Sequence, residues 1–256
     1  MADASISVAG SPLVLLALRR ADDALVLGHR LSEWCGHAPV LEEDIALANL
    51  ALDLIGQARA LYALAAEVEN GGHDEDQFAY LRRERDYRNL LLLEQPNGDF
   101  AVTIARQFLY SAFVDPWWRA TAASSEPRLA AIAAKAEKES AYHLRHSAEW
   151  LIRLGDGTEE SQRRAQAALE LLWPYTGEMF EPEDAALVAA GVCTDPPALR
   201  DAWNATVEKI IAQATLRRPR DGWMQSGGRA GRHSEHLGHL LAELQYLQRA
   251  HPGATW

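Results

Sequence analysis

The sequence predicts an all-α chain, a four-helix bundle with additional C-terminal helices. Three observations lead there. Four long segments in the first 155 residues carry apolar residues at helical spacing, each has a recognisable start and stop, and no alternating, β-rich stretch competes with them. At 256 residues and 48% hydrophobic, the chain can bury a substantial core. It reads as a single domain over residues 1–256, with the core bundle at about 13–155 and a helical extension at about 158–256.

The first segment runs from about Leu13 to Cys35, with Ser11 as N-cap, Pro12 at the first helical position and Gly36 as the stop. The second runs from about Leu41 to Glu69. It opens on the acidic "EED", which suits the positive end of a helix dipole, and closes at "NGG". Its stripe Leu47, Ala51, Leu54, Ala58, Leu61, Ala65, Val68 alternates steps of four and three, so one face must pack on neighbouring helices. A connection from His73 to Gly98 follows, holding a shorter amphipathic helix around "DEDQFAYLRRERDYR". The third long helix starts after Asp99 and reaches about Thr121, and the fourth starts near Pro127 and stops at "GDG". Two helix hairpins joined by a long crossover are the ferritin-like arrangement. Shorter helices are expected at Thr158 to Leu172, Pro182 to Ala190, Pro196 to Ala214 and Ser234 to Arg249.

A formal charge of -11 argues against nucleic acid or anionic membrane as the main partner, because the mean field repels both. The two cysteines, Cys35 and Cys193, make neither a disulfide framework nor a Cys-x-x-Cys pair, which suits a reducing cytoplasm. The apolar run Leu13 to Leu18 is too short to span a membrane, and its arginines follow it, unlike a signal peptide.

The sequence lacks a nucleophile elbow, a Walker loop and a Gly-x-Gly-x-x-Gly turn. A bundle that activates oxygen at two irons needs two Glu-x-x-His pairs and two further carboxylates. Nowhere here does Asp or Glu precede His by three residues. In "KESAYHLRH", Glu139 and His143 are four apart, which still shares a helix face. The second long helix has no histidine, so half of the ligand set is missing. It carries instead Asn49, Asp53 and Gln57 at spacing four, and similar pairs occur at His29 with Glu33 and at Gln107 with Ser111. These polar groups are expected to face the interior as a metal-free hydrogen-bonded network. A solvated face and an unorthodox metal site are the alternatives.

The triplet His233, His236, His239 drifts around a helix at spacing three and is expected on a surface or interface face. The segment Leu216 to Arg232 sets Arg217, Arg218, Arg220, Arg229 and Arg232 against one aspartate, with Trp223 and several glycines between them. It is expected to receive phosphates or a partner's carboxylates, or else to tie a loop to acidic helices of its own chain.

The stretches "ADDALVLGHRLSEWCGHAP", "EEDIALANLALDLIGQAR", "RDYRNLLLLEQPNGDFA", "AYHLRHSAEWLIRLGDGTEES", "LWPYTGEMF" and "GGRAGRHSEHLGHLLAELQ" span nearly the whole chain. They resemble the PaaC-subunit family of the phenylacetyl-CoA epoxidase (phenylacetate-CoA oxygenase) complex. The resemblance implies a ferritin-like, non-catalytic structural subunit in the cytoplasm, paired with a homologous di-iron catalytic subunit. It also implies further subunits, among them a reductase with flavin and an iron-sulfur cluster, and a complex that epoxidises the ring of phenylacetyl-CoA with NADPH and oxygen in phenylacetate catabolism. No cofactor is expected in this chain, and in isolation it is expected either to self-associate or to show a large apolar face.

Against the catalytic relative's metal motif, Glu33 resembles a first-helix ligand and His143 the histidine of the last Glu-x-x-His. Ser140 stands at that motif's glutamate, with Glu139 one place early, and Ser111 stands where the third-helix carboxylate belongs. In the second helix Asp53 or its neighbour takes the carboxylate position, and Gly56 or Gln57 the histidine position. The motif therefore reads as a relic. The competing hypothesis is an independently active metalloenzyme with an atypical site around Glu33, Asp53, Glu139 and His143.

Overall fold

The computed structural model describes residues 5, 6, 8 and 10–254, and among them it contains helices, turns and loops but no strand. In chain order the α-helices are α1 (Pro12–Ser32), α2 (Leu41–Glu69), α3 (Glu75–Tyr80), α4 (Leu91–Glu94), α5 (Phe100–Thr121), α6 (Pro127–Gly155), α7 (Glu159–Leu172), α8 (Ala185–Ala189), α9 (Arg200–Gln213), α10 (Glu235–Leu244) and α11 (Tyr246–Ala250). The hairpins α1–α2 and α5–α6, linked in sequence by a crossover, give this all-α chain its ferritin-like element order. No described helix is long and apolar enough to cross a membrane.

Two compact units form, one from Met1–Cys35, Ala46–Pro96 and Gly227–Trp256, the other from Gly36–Ile45 and Asn97–Ser226. This division cuts across the expected bundle and extension, because the last helices fold with the first ones while α7 to α9 fold with α5 and α6.

In the first unit, the Ser11 hydroxyl accepts from the Val14 amide at 3.4 Å, and Pro12 opens α1. Gly28 lets α1 approach α2 closely: a Cβ there would lie 3.2 Å from the Ala51 carbonyl oxygen. The α2 stripe is buried as expected from Leu47 to Ala65, and only its last member, Val68, emerges to 37% exposure at the helix end. α3 opens on a capping box in which the Asp74 side chain accepts from the Gln77 amide at 2.8 Å and the Gln77 side chain accepts in return from the Asp74 amide at 2.9 Å.

In the second unit, α5 is buried nearly all round, with Phe108, Phe113 and Trp117 at 0% exposure, and it begins at the Asp99 cap. α6 turns Leu129, Ala133, Ala136, Ser140, His143, Ser147 and Leu151 inward, a run of threes and fours. Phe180 stands edge-on to both Phe113 and Trp203, and the Trp203 indole donates to the Leu109 carbonyl at 3.0 Å. These contacts lock α9 and the turn after α7 onto α5.

Three expected helices are shorter or broken. The helix placed around residues 74–88 ends at Tyr80, because Arg82 leaves the helical path to fill a buried site in the first unit. The helix expected from Ser234 to Arg249 breaks at Gln245, whose side-chain amide donates to the Ala79 and Arg82 carbonyls at 3.1 Å each. The helix expected at Pro182 to Ala190 shrinks to α8, capped by Asp184.

Candidate functional site

The polar core of the second unit is built from the facing sides of α5 and α6. Ser111 is fully buried, Ser140 and His143 are almost so, and the Gln107 side-chain amide donates to the Ser111 hydroxyl at 3.0 Å. The Ser147 hydroxyl donates back to the His143 carbonyl at 2.7 Å, the usual way for a serine to satisfy itself inside a helix. Glu139 has a mostly buried side chain and pairs with Lys135 at 3.5 Å on the same helix. One turn beyond His143, His146 holds Glu43 at 2.9 Å, a contact that sequence spacing gives no means of finding across 103 positions.

The first unit holds the remaining members of the expected polar network, and here the expectation of interior polar faces needs correcting. Gln57 is buried, Asp53 is half-buried and Asn49 is exposed. Residues four apart rotate by about 40° per step on an α-helix, so a stripe at constant spacing of four winds out of the core. Glu33 is not interior either. It lies just past the end of α1, 42% exposed at its side chain, and pairs with Arg30 at 2.7 Å. His29 is half-buried, and that burial lowers its pKa.

The polar core of the second unit offers the hydroxyls of Ser111, Ser140 and Ser147 and the amide of Gln107 beside a single imidazole, His143, and hydroxyl or amide groups are weak ligands beside ionised carboxylate. Among the described residues no three His, Cys, Asp or Glu side chains converge as a metal-holding group.

The first unit also contains a buried ionic core that sequence reasoning missed. Asp22 and Asp23, adjacent on α1, are both fully buried. Asp22 forms an ion pair with the fully buried Arg82, accepts from the Tyr62 hydroxyl at 2.6 Å and accepts from the Arg88 amide at 2.7 Å. Arg82 in turn donates to the Phe78 carbonyl at 2.7 Å and lies 4.3 Å over the Tyr87 ring. Burial is the largest influence and works against the Arg82 cation, but the Asp22 charge, the hydrogen bond to Asp22 and the Tyr62 and Tyr87 phenols together outweigh it and hold its pKa above the ordinary value. Asp23 receives Arg229 on both oxygens, at 2.9 and 2.7 Å, and the Leu90 amide at 2.9 Å. Burial nonetheless pushes the Asp23 pKa up. The visible signal was the pair "DD" inside the apolar run "ADDALVLG", since two adjacent carboxylates cannot both leave a helix that is buried on every side.

Two further expectations change. His233 is no surface residue: its side chain is fully buried, with Nδ1 2.8 Å from Glu94 and Nε2 3.0 Å from the Tyr87 carbonyl. The Ser234 amide adds a bond to Glu94 at 2.6 Å. His236 is half-buried and His239 exposed. The five arginines also separate. Arg229 is internal, bound to Asp23 and to the Arg88 carbonyl at 2.7 Å, and Arg218 is engaged by Glu208 at 2.6 Å and Asp221 at 3.2 Å. Arg217, Arg220 and Arg232 are exposed.

A family model described as phenylacetic acid catabolic protein matches residues 1–256. Among curated proteins, one of the subunits of the 1,2-phenylacetyl-CoA epoxidase of Escherichia coli (strain K12) is 51% identical over 250 residues, covering 95% of this chain and 99% of that one.

Proposed function

Because the chain belongs to the phenylacetic acid catabolic protein family, we propose that it is the structural, non-catalytic subunit of a multicomponent phenylacetyl-CoA epoxidase. Its work is to bind and shape a homologous catalytic subunit that holds the two irons, while a reductase passes electrons from NADPH for epoxidation of the aromatic ring. The observation that supports this reading is the buried serine pair. Ser111 and Ser140 lie in the core of the α5–α6 hairpin where the resemblance places ligand carboxylates, and Ser111 is bonded to Gln107.

The exchange has a physical logic. Buried carboxylates need a cation or several donors, whereas a serine satisfies itself with one neighbour or with its own helix. Removing metal from such a core therefore requires removing its carboxylates too, or the hairpin would carry unpaired charge.

The test is reconstitution followed by metal analysis of the purified chain, alone and with the co-expressed catalytic subunit. The expected result is a stable complex in which iron follows the catalytic subunit. Two irons per chain bound by this subunit alone would overturn the assignment, and so would failure of the two chains to associate.

A further inference from the structure

The segment from Leu216 to Gln225 is unusually well fixed for a surface loop. Leu216 is 8% exposed and its amide donates to the Ile211 carbonyl at 3.0 Å. Arg217 exchanges two bonds with one side chain: its amide donates to the Gln166 oxygen at 2.8 Å, and its carbonyl accepts from the Gln166 nitrogen at 3.1 Å. Arg218 pairs with the exposed Glu208 at 2.6 Å and lies 5.2 Å over the Trp173 ring. The Trp173 indole donates to Asp221 at 3.0 Å. At the far end the Gln225 amide donates to the Pro174 carbonyl at 2.7 Å, and Met224 covers Gly177 so closely that a Cβ there would lie 2.8 Å from it.

This anchoring presents three side chains to solvent. Trp223 is 77% exposed, more than the other exposed large hydrophobic residues described. Arg217 and Arg220 are exposed, and among the described residues no ion pair engages either guanidinium. Both line an open cleft of about 440 Å³ beside Pro219 and Glu170. Tryptophan and arginine dominate binding energy in protein interfaces, and a loop already held in one conformation loses little entropy on docking. Two unneutralised cations on a chain of net charge -11 select an acidic partner.

We infer that the loop at 217–223 is a docking surface for an acidic segment of another protein chain, whose carboxylates meet Arg217 and Arg220 and whose apolar side chain covers Trp223. A compact phosphate ligand fits less well, since Glu170 sits in the same cleft and the exposed Trp223 indole calls for apolar contact. The inference rests on the reading of the chain as a subunit of a complex, because the acidic segment belongs to one of its partners.

The experiment uses the full chain with Arg217→Glu/Arg220→Glu together, Trp223→Ala separately, and the purified catalytic subunit and reductase as probes over a series of salt concentrations. All three side chains are exposed, so circular dichroism and the denaturation midpoint should match the parent chain. The double variant should bind one of the probes at least ten-fold more weakly at low salt and show a flatter dependence on ionic strength. Trp223→Ala should weaken the same complex at every salt concentration without changing that slope. Unchanged affinity for both variants, while the parent complex forms normally, would overturn the surface and leave the subunit reading standing. Competition by coenzyme A or inorganic phosphate would make it an anion site instead. Self-association lost only in the variants would assign it to a second copy of the chain. If the parent chain binds neither probe, the surface and the subunit reading fall together.

Discussion

Asp22 and Arg82 show what a buried ion pair demands at the scale of single residues. Each has 0% side-chain exposure, and each is wrapped by further donors, acceptors and rings. Removing one partner leaves the other charged and unpaired in a low-dielectric interior, which typically costs about 3 to 5 kcal/mol. Asp22→Ala should therefore lower stability by about that amount in chemical denaturation, and Arg82→Met should do likewise. The double variant Asp22→Leu/Arg82→Met should cost less than the two singles added together, and strict additivity would show that the pair is not coupled. His233 makes a second prediction. Its two ring nitrogens both face acceptors, a carboxylate and a carbonyl, so the geometry calls for the imidazolium. Burial is the largest influence and opposes that charge, but the Glu94 hydrogen bond and charge, with the Tyr87 carbonyl and the Asp22 charge, together prevail and the pKa is raised above 6.5. A raised folded-state pKa contributes stability that is fully present below about 6.5 and is lost as pH rises through the folded value. Unfolding free energy measured from pH 6 to 9 should fall accordingly, and His233→Gln should be less stable at pH 6 and flatter across the range. A variant with the same slope as the parent would place the titration elsewhere.

At the scale of elements, the helix starts were the most legible features, because a cap is a local transaction. Ser11 with Pro12, Asp99 and Thr158 each sit where their side chain meets a free helical amide, and each marks the true start. Breaks inside expected helices were not legible, since they answer to partners far away in sequence. Gln245 interrupts its helix to donate to carbonyls more than 160 positions earlier. His233 was misplaced for a related reason. It precedes Ser234, the N-cap of α10, so helical periodicity does not apply to it and the triplet with His236 and His239 is an accident of spacing. The segment that begins at Gly227 is held to α1 and to the crossover by Arg229 and His233, and Gly228 passes close to the chain there. A Cβ at Gly228 would lie 2.2 Å from the Asn89 carbonyl oxygen. Gly228→Ala should push the segment off its seat, costing about 1 to 3 kcal/mol as overpacking does, with faster amide hydrogen exchange in α10 than in α5. Unaltered exchange in α10 would mean that the segment is anchored by other contacts.

For the whole molecule, the order of the hairpins and the missing second-helix histidine were readable because they depend only on helical spacing and residue type. Which polar residues are interior was not, because that depends on small rotations: Gln57 is buried where Asn49, two turns earlier, is exposed. Function follows the same division. A bundle can keep its packing while its carboxylates become serines, since apolar stripes and caps carry the fold and the metal ligands do not. This chain has a buried ionic core in its first unit and a fixed, exposed Arg–Trp loop in its second, and the proposed reading has it act through contact. With phenylacetyl-CoA, oxygen and NADPH, this chain and the reductase should form no ring epoxide, and product should appear once the di-iron subunit is added. Omitting this chain from the full mixture should abolish or sharply reduce turnover, and restoring the purified chain should bring it back. Epoxide made by this chain and the reductase alone would identify it as an enzyme. Full activity of the di-iron subunit without it would show that the contact contributes nothing to catalysis, and the ionic core would then serve the stability of this chain only.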